Sequence, residues 1–325
     1  MSVPTEDGCS YSHPAPNFMI ICDQYYQKNQ VPDREIRHVS TYEFTPEAPN
    51  NEHRAFVKRY EWLGTMGVSP RWIFTARDRG ELVALVGLNE PNAYSKVLNG
   101  IDPIQTQCLI QRGASSHLAH QHTGSKLIMF AVKWMTQNTS KRAFFGYSDM
   151  RAGELGTIYS ACNFDFMGWG FGTKEMYRHP IFMDSKPFSS QIFNRTAWIK
   201  KFLRDNGVEW QPEWSRANGF KQLSAIPQEI KNLWREFGRQ TIKESEIIKL
   251  PAKGKWIKVQ GQNRTEQRVL DEAKLYKTYP HPRRDDPKLL IEFEKWKGFM
   301  RYLEPNTSAL NESVLFEKDE HDVIV

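Results

Sequence analysis

Two stretches of the sequence combine residue types that could perform group-transfer chemistry, and the first is Thr123-Gly124-Ser125 at the start of an amphipathic segment. The first turn of a helix exposes backbone N–H groups and the positive end of the helix dipole, so it can bind phosphates. A glycine in that turn lets a ligand approach the backbone closely. The same pattern is also typical of a simple strand-to-helix turn, and that alternative stays open.

The second stretch begins with Tyr147, Ser148 and Asp149 at the end of an apolar run and continues through Glu154 to Tyr159. Ligands of open α/β sheets bind at the carboxyl ends of strands, so Asp149 or Glu154 could position or deprotonate an amine. Each acid could instead be a helix cap or a first-turn acid that stabilises the helix dipole. Ser148 could cap a helix or orient a substrate, and Tyr147 could belong to the core.

Three histidines, His117, His120 and His122, lie in the loop before the amphipathic segment. Neutral imidazoles at this spacing could converge on a metal ion. The loop has no carboxylate or cysteine close to them, so the alternative is a set of polar side chains that form hydrogen bonds or contact phosphates. We therefore expect no metal and keep the three histidines as weak candidates.

Regular elements must position these residues, and the spacing of apolar side chains predicts where they lie. Helices are predicted over 53–63, 124–137, 154–162, 192–206, 227–241 and 266–276. Strands are predicted over 72–76, 81–88, 106–113, 143–148, 165–170 and 255–259. This alternation predicts an α/β fold with a mixed central sheet flanked by helices, splayed where 106–113 meets 143–148.

Charge is distributed unevenly along the 325 residues, although the net charge is only +6. Residues 181–303 hold 25 Lys and Arg against 15 Asp and Glu, together with six of the ten tryptophans. Residues 304–325 are acidic. Clustered cations attract phosphates and aromatic rings offer stacking surfaces, so this half is a candidate DNA-facing region. The alternative is a lysine-rich surface that only solvates its helices.

Composition excludes several classes of protein. Aromatic residues make up 13% of the chain, which excludes disorder over most of it. No apolar run reaches the length of a membrane span, and the N-terminus lacks the pattern of a secretory signal. The four cysteines are widely spaced with no CxxC pair, which is typical of a reducing compartment, so we expect a cytoplasmic protein.

The stretch Ile158-Tyr159, followed by Phe164 and Gly168, resembles the end of the GNAT acyltransferase core. In that superfamily a phosphate loop comes one helix and one strand earlier, as Thr123-Gly124-Ser125 does here. The resemblance implies that Tyr159 protonates the departing thiolate of coenzyme A, as a general acid. The usual loop has two glycines, whereas Gln121-x-x-Gly124-Ser125 keeps one.

A closer resemblance is to the Mom family, phage enzymes on the GNAT fold that modify adenine in DNA. It is carried by these motifs: Arg112-Gly113, Ser125-x-Leu127-Ile128, Tyr147-Ser148-Asp149, and Gly153-Glu154-x-Gly156-Thr157-Ile158-Tyr159. Weaker similarity extends to Tyr60-x-Trp62-Leu63-Gly64, to Gly254-Lys255-Trp256-Ile257-Lys258 and to Tyr279-Pro280-His281-Pro282. The stretch from about 185 to 250 has no counterpart that we can match.

The resemblance implies a set of roles. The expected catalytic residues are Tyr159, Asp149, Ser148, Tyr147 and Glu154. The expected donor-binding residues are Arg112, Gly113, His122, Thr123, Gly124 and Ser125. The expected DNA-binding residues are Lys255, Lys258, Arg283 and Arg284. The donor would be acetyl-CoA or an aminoacyl compound, and the partner would be double-stranded DNA.

The predicted organisation is a loosely ordered N-terminus over 1–17, a GNAT-like catalytic core over 18–180, a basic extension packed on it over 181–303, and an acidic tail. Three functions remain open. The first is an enzyme that modifies the exocyclic amine of adenine in DNA and protects phage DNA from restriction. The others are an acyltransferase for a protein or small-molecule amine, and a non-catalytic DNA-binding or virion protein.

Overall fold

The computed structural model describes residues 3–4, 10–11, 36–61, 69–116, 118–150, 154–171, 175–185, 187–194, 196–211, 226–283 and 286. The predicted site residues His117 and Arg284 lie outside this part of the chain. The chain divides into two compact units. The first comprises Met1–Phe171 and Lys253–Val325, and the second comprises Gly172–Ala252.

The first unit is built on a mixed sheet of seven strands. The first two strands of this unit, β1 (Val3–Pro4) and β2 (Ser10–Tyr11), pair with each other in a separate sheet. They are followed along the chain by β3 (Glu43–Glu47), β4 (Trp72–Asp78), β5 (Glu81–Asn89), β6 (Gln107–Ser115), β7 (Ala143–Ser148) and β8 (Asp165–Phe171). The second unit contributes β9 (Glu175–Arg178) and β10 (Glu246–Lys249), and the first unit resumes with β11 (Lys253–Val259). The spatial order of the sheet is β3-β4-β5-β6-β7-β11-β8.

Seven helices accompany the strands in the described part of the chain. They are α1 (Asn51–Tyr60), α2 (Pro103–Thr106), α3 (Thr123–Asn138), α4 (Thr157–Ala161), α5 (Thr196–Asp205), α6 (Gln228–Lys243) and α7 (Arg264–Glu272). Of these, α5 and α6 belong to the second unit. No helix among the described residues is long and apolar enough to cross a membrane.

The sheet opens between β6 and β7, where the two strands run parallel. They pair only from Gln107 opposite Ala143 to Leu109 opposite Phe145, although β6 continues to Ser115 and β7 to Ser148. The carboxyl ends of both strands therefore extend beyond their pairing. Every other pair in this sheet is antiparallel. The mixed α/β sheet and the splay predicted from the sequence are both confirmed.

Apolar side chains cover both faces of the central strands. Residues 82–88 of β5 are all buried, as is typical of a strand with both faces covered. On one face, α3 contributes the buried residues Leu127, Ile128, Ala131, Val132 and Met135. On the other face, α1 packs Phe56, Val57 and Tyr60 against Ile73 and Leu85. A third cluster joins Phe145, Ile257 and Val259 to Leu270 of α7.

The strand β11 lies inside the sheet, not at its edge. It pairs with β7 from Gly254 opposite Ser148 to Val259 opposite Ala143, and with β8 on its other side. The basic stretch 181–303 is thus divided: 181–252 belongs to the second unit, whereas β11 and α7 belong to the unit that contains the sheet.

The second unit has an aromatic core. Its strands β9 and β10 pair antiparallel, and Tyr177 of β9 also bridges to Phe188. Aromatic rings of α5, α6 and the connecting turns contact one another with centroids 4.9–6.1 Å apart; they include Phe182, Phe193, Trp198, Phe202, Trp234 and Phe237. This core includes Trp198 and Trp234, two of the six tryptophans of the basic half.

Some element boundaries differ from the sequence-based predictions. The helix predicted over 154–162 begins at Thr157, because Gly156 adopts a left-handed backbone conformation with φ of 80°. The helix predicted over 192–206 divides into a 3-10 turn, Ser190–Asn194, and α5. Strands β3, β9 and β10 and the short helix α2 were not predicted, because short strands with charged residues lack a clear apolar alternation.

Candidate active site

Tyr159 lies at the splayed end of β7, on the first turns of α4. Its ring covers Gly146, where any Cβ would overlap the aromatic carbons. The ring also packs against Phe164, with centroids 5.3 Å apart, and against Trp256, 5.9 Å away. Only 9% of the residue is exposed. A glycine at 146 is therefore required for this tyrosine to reach the sheet.

The environment of Tyr159 keeps its phenol protonated. Burial raises the pKa of the hydroxyl well above its usual value, and the charges of Glu154 and Cys162 raise it further. The backbone N–H of Tyr147 opposes these effects by donating to the phenol oxygen. A neutral phenol is a proton donor, which is the form that the predicted acid role requires.

Trp256 of β11 forms a wall of the same site and fixes Ser148. Its indole Nε1–H donates to Ser148 Oγ over 3.1 Å, and both residues are buried. Gly156 lies against this indole so closely that a Cβ there would overlap it. Ser148 thus acts here as the acceptor that orients Trp256.

Asp149 and Glu154 are held together by a closed loop of hydrogen bonds. The N–H of Asp149 donates to Glu154 Oε2 over 3.0 Å, and the N–H of Glu154 donates to the carbonyl oxygen of Asp149 over 3.1 Å. The Asp149 carboxylate also forms an ion pair with Lys253 Nζ, at 2.9 Å, and is almost fully buried. The structure thereby brings together the two acids predicted from the sequence and adds a cation to them.

Glu154 has the most unusual acid–base property in this group. Burial raises the pKa of its carboxyl to about 8, the negative charges of Asp149 and Glu61 add to the rise, and Lys253 opposes it. Glu61, which follows α1, is itself buried and lies 4.0 Å from Arg112 Nε. A carboxyl that titrates near neutral pH can both accept and donate a proton during turnover.

The sequence-based reasoning missed three residues of this site. Glu61 and Lys253 had no assigned role, and Trp256 was not recognised as a wall of the site. Glu61 lies within the Tyr60-x-Trp62-Leu63-Gly64 similarity. That similarity was a signal for this residue, but no role had been assigned to it. Lys253 and Trp256 are brought to Asp149 and Ser148 only by the pairing of β11 with β7. That pairing joins residues more than a hundred positions apart, so local periodicity gives no indication of it.

The first turn of α3 holds one buried hydroxyl, that of Thr123, and Ser116, which follows β6, holds another. The N-cap residue, His122, forms no side-chain cap hydrogen bond to the N–H groups of this turn. Thr123 is fully buried, and among the described residues neither its hydroxyl nor that of Ser116 has a hydrogen-bond partner. Buried hydroxyls without a partner are rare and indicate a missing ligand or water. These groups fit an anionic, phosphate-bearing donor.

Other residues of the predicted donor site have packing roles or stand open. A Cβ at Gly124 would lie 2.8 Å from Ile158 Cδ1, so this glycine lets α3 approach α4 beside Tyr159. Gly113 is exposed, and a Cβ added there would have no atom nearer than 4.0 Å. The Ser125 hydroxyl donates back to the carbonyl oxygen of His122 over 3.1 Å.

Two of the three loop histidines, His120 and His122, lie in the described part of the chain and contact each other through their rings. His120 contacts His122, with centroids 5.3 Å apart, and also His38, 5.0 Å away. The backbone N–H of His122 donates to His120 Nδ1, which occupies that lone pair and leaves the proton on Nε2. Burial lowers the pKa of His120, and His38 and His122 lower it further.

A second group of side chains that could ligate a metal ion consists of Glu47, Glu52 and His53. Its two carboxylates are already paired with the guanidinium of Arg77. Arg77 donates to Glu47 Oε1 over 2.9 Å and to Glu52 Oε2 over 2.6 Å. The guanidinium holds the pKa of Glu47 down to about 2. This cluster joins β3, α1 and β4 as a structural ion-pair network.

Three of the predicted DNA-binding residues, Lys255, Lys258 and Arg283, lie in the described part of the chain, and each has different neighbours. Lys255 Nζ lies 4.6 Å from the centroid of the Phe145 ring, whereas Lys258 Nζ donates to the carbonyl oxygen of Asn163 over 3.1 Å. Burial lowers the pKa of both lysines. Tyr147, which is 38% exposed, pairs with Lys255 across β7 and β11. Arg283 lines a separate cleft beside β8.

Comparison with known proteins confirms the resemblance found in the sequence. Residues 73–207 match the model of the Mom protein family. This segment runs from β4 through α5 and includes Arg112, Asp149 and Tyr159. No curated protein matches the chain.

Several solved acetyltransferase structures are similar to part of the chain. An N-acetyltransferase from Staphylococcus aureus Mu50 is 18% identical, with a TM-score of 0.29, over 40% of this chain and 85% of that one. The IAA acetyltransferase from Bacillus cereus ATCC 14579 is 16% identical, with a TM-score of 0.30, over 40% of this chain and 81% of that one. A mutant form of the spermidine/spermine N-acetyltransferase SpeG from Vibrio cholerae is 15% identical, with a TM-score of 0.29, over 40% and 87%.

Proposed function

We propose, from the match of residues 73–207 to the Mom family, that the protein is a transferase that modifies the exocyclic amine of adenine in DNA. In this proposal it acts in the cytoplasm of a phage-infected host and protects phage DNA from restriction. The observation that carries the proposal is the meeting of Tyr159, Glu154 and the Asp149–Lys253 ion pair at the splayed strands.

The donor in this proposal binds at the first turn of α3. Its backbone N–H groups and the buried hydroxyls of Thr123 and Ser116 would hold the phosphates, and Arg112 of β6 would add a positive charge. An acyl donor, either acetyl-CoA or an aminoacyl compound, supplies an activated carbonyl carbon when bound. Gly124 brings this turn against Ile158, the neighbour of Tyr159, so the donor site and the acid are linked by direct packing.

Tyr159 has the role of general acid. Its buried phenol keeps its proton at neutral pH because burial raises its pKa. It can therefore give that proton to the leaving group as negative charge develops there. General acid–base groups typically contribute 10²–10⁴-fold to a rate.

Asp149 and Glu154 act on the acceptor amine. The lone pair of that amine is delocalised into the purine ring, so close positioning is needed before it can attack. Asp149, fixed by Lys253, accepts a hydrogen bond from the amine and orients it. Glu154, whose pKa is about 8, accepts in its ionised form the proton that the amine loses as the new bond forms.

Access to an adenine in a duplex requires the base to leave the stack, at a cost of a few kcal/mol. Lys255, Lys258, Arg283 and Arg284 are proposed to contact the phosphates. The site that receives the base would be the opening between the ends of β6 and β7, since those strands do not pair there.

Mass analysis of nucleosides tests this proposal. DNA from cells that express the protein is digested and compared with DNA from cells that express Tyr159→Phe. An altered deoxyadenosine that depends on Tyr159 supports the proposal. Unaltered DNA together with acylated protein or small amines would show the acyltransferase alternative, and DNA binding without any product would show the non-catalytic one.

A further inference from the structure

A second concave surface lies beside β8, apart from the residues assigned so far to catalysis. It is an open cleft of about 650 Å³ between the strand and the segment that follows α7. Its lining includes Phe166, Gly168, Trp169, Tyr279, His281 and Arg283. Neither Tyr159 nor Asp149 contributes to this lining.

The backbone holds one aromatic ring open to this cleft. Tyr279 donates its N–H to the carbonyl oxygen of Phe166 over 2.8 Å, which ties the segment to β8. Its ring lies on Gly168, which has φ of 99° and would bring a Cβ to 3.2 Å from the ring. Even so, 44% of Tyr279 is exposed. An aromatic face that is anchored through its backbone and still exposed is suited to stacking on a planar group.

The cleft shares a wall with the candidate active site. His281 Nδ1 lies 2.8 Å from the hydroxyl of Ser160, the residue after Tyr159. The His281 ring also contacts Trp256, with centroids 5.2 Å apart, and Trp256 contacts Tyr159 at 5.9 Å. The His281 ring and the Trp256 indole therefore lie between the cleft and Tyr159.

The lining has the chemistry of a nucleotide site. Trp169 and Tyr279 supply aromatic faces, on which bases of any sequence can stack. Asp286 can accept hydrogen bonds from the amino groups of a base, and Arg283 can contact a phosphate. Lys277 Nζ, 5.0 Å from the centroid of the Tyr279 ring, adds positive charge at the rim.

We propose that this cleft binds an unstacked nucleobase of the DNA acceptor, next in sequence to the adenine that reacts. The inference rests on the proposed function, because it takes the acceptor to be DNA. It adds a subsite that the reaction itself does not use, and it predicts that the enzyme contacts the base at one position flanking its target.

Binding of a fluorescein-labelled single-stranded oligonucleotide, followed by anisotropy without donor, tests the proposal. The oligonucleotide carries one adenine, and two further versions lack the base on its 5′ or its 3′ side. We expect removal of the base on one side to weaken binding about tenfold, as loss of one stacked base does. Tyr279→Ala should weaken binding of the intact strand equally and show no added loss with the abasic strand.

Tyr279→Phe is the matched control, because it keeps the stacking ring and removes only the hydroxyl, so it should bind as the unmodified protein does. Thermal unfolding of both variants reports whether Tyr279→Ala still folds. Equal affinity for intact and abasic strands, or no measurable binding of any strand, overturns the proposal. Displacement of the oligonucleotide by coenzyme A from the unmodified protein, but not from Tyr279→Ala, also overturns the proposal.

The outcome is separable from that of the proposed function. Binding is measured without donor, so a protein that leaves adenine unaltered can still show the base-dependent affinity. Conversely, a protein that modifies adenine but binds abasic strands normally retains the function and loses the subsite.

Discussion

The ring of Tyr159 lies directly on Gly146, and its hydroxyl oxygen would stand 2.7 Å from a Cβ at that position. The candidate acid and the strand that ends at Ser148 thus approach each other to a distance that only glycine allows. The position of the phenol relative to the splay therefore depends on residue 146 having no side chain.

Gly146→Ala should therefore displace Tyr159 and destabilise the protein. Overpacking of a filled core typically costs about 1–3 kcal/mol. Chemical unfolding measures the loss, and turnover should fall with it because the phenol moves. Gly113→Ala is the matched control for stability, since its added methyl group would meet no atom closer than 4.0 Å. Equal stability of the two variants would contradict the packing described for Tyr159.

Tyr159→Phe should fold normally and lose turnover by roughly 10²–10⁴-fold, since it removes one acid–base group. The measurement is the yield of modified deoxyadenosine per enzyme, with circular dichroism to confirm folding. Tyr94→Phe is the control, because that exposed tyrosine donates to Glu90 on the surface and has no part in this chemistry. A fully active Tyr159→Phe would remove the main reason for assigning the chemistry to this site.

Asp149→Asn should reduce turnover while DNA binding persists, because it keeps the shape of the side chain and removes the charge paired with Lys253. Asp102→Asn is the matched control: Asp102 caps α2 by accepting from the N–H of Ile104, and asparagine caps nearly as well. We expect that variant to be fully active. Full activity of Asp149→Asn would show that Asp149 has only a structural role.

The raised pKa of Glu154 predicts how stability depends on pH. The folded state holds its proton up to about pH 8, whereas an ordinary glutamate releases it near 4.5. Its contribution to stability is therefore complete below about pH 4.5 and is lost as the pH rises through about 8. Unfolding free energies measured across this window should fall less steeply in Glu154→Gln. An unchanged slope would mean that Glu154 titrates normally.

DNA affinity should fall steeply as salt is added, because bound cations are released from the phosphates. Arg283→Gln should reduce the slope of log affinity against log salt by about one, the value for one phosphate contact. Fluorescence anisotropy with duplex DNA over a salt series measures both. An affinity that stays flat between low and physiological salt would count against a DNA substrate.

The sequence predicted the parts of the fold that are encoded locally. The strand β7 and the helix α3 have a clear apolar periodicity, and their order on the chain predicted a mixed sheet with a splay between β6 and β7. The roles of Trp256 and Lys253 were not predictable in this way. Both come to the site through a strand that pairs between β7 and β8, and no local pattern reports which strands become neighbours.

The local chemistry of the predicted residues also depended on neighbours that the sequence did not reveal. Ser148, a candidate for substrate contact, accepts from the Trp256 indole. Glu154, for which a capping role was an alternative, gains its raised pKa from burial and from the charges of Asp149 and Glu61. Burial and charge at this scale are properties of the assembled sheet, so residue type and spacing could nominate these groups but not rank them.

The place of β11 in the sheet has a consequence for synthesis. A ribosome-bound chain that has not yet extended to Lys253 already contains Tyr159, Asp149 and the first turn of α3, but it lacks the strand that joins β7 to β8. Without it there is no indole for Ser148 and no ammonium group for Asp149. The whole of the second unit, Gly172–Ala252, is translated before that strand. The contacts of Ser148 and Asp149 described here are therefore incomplete until the chain has been translated through Val259.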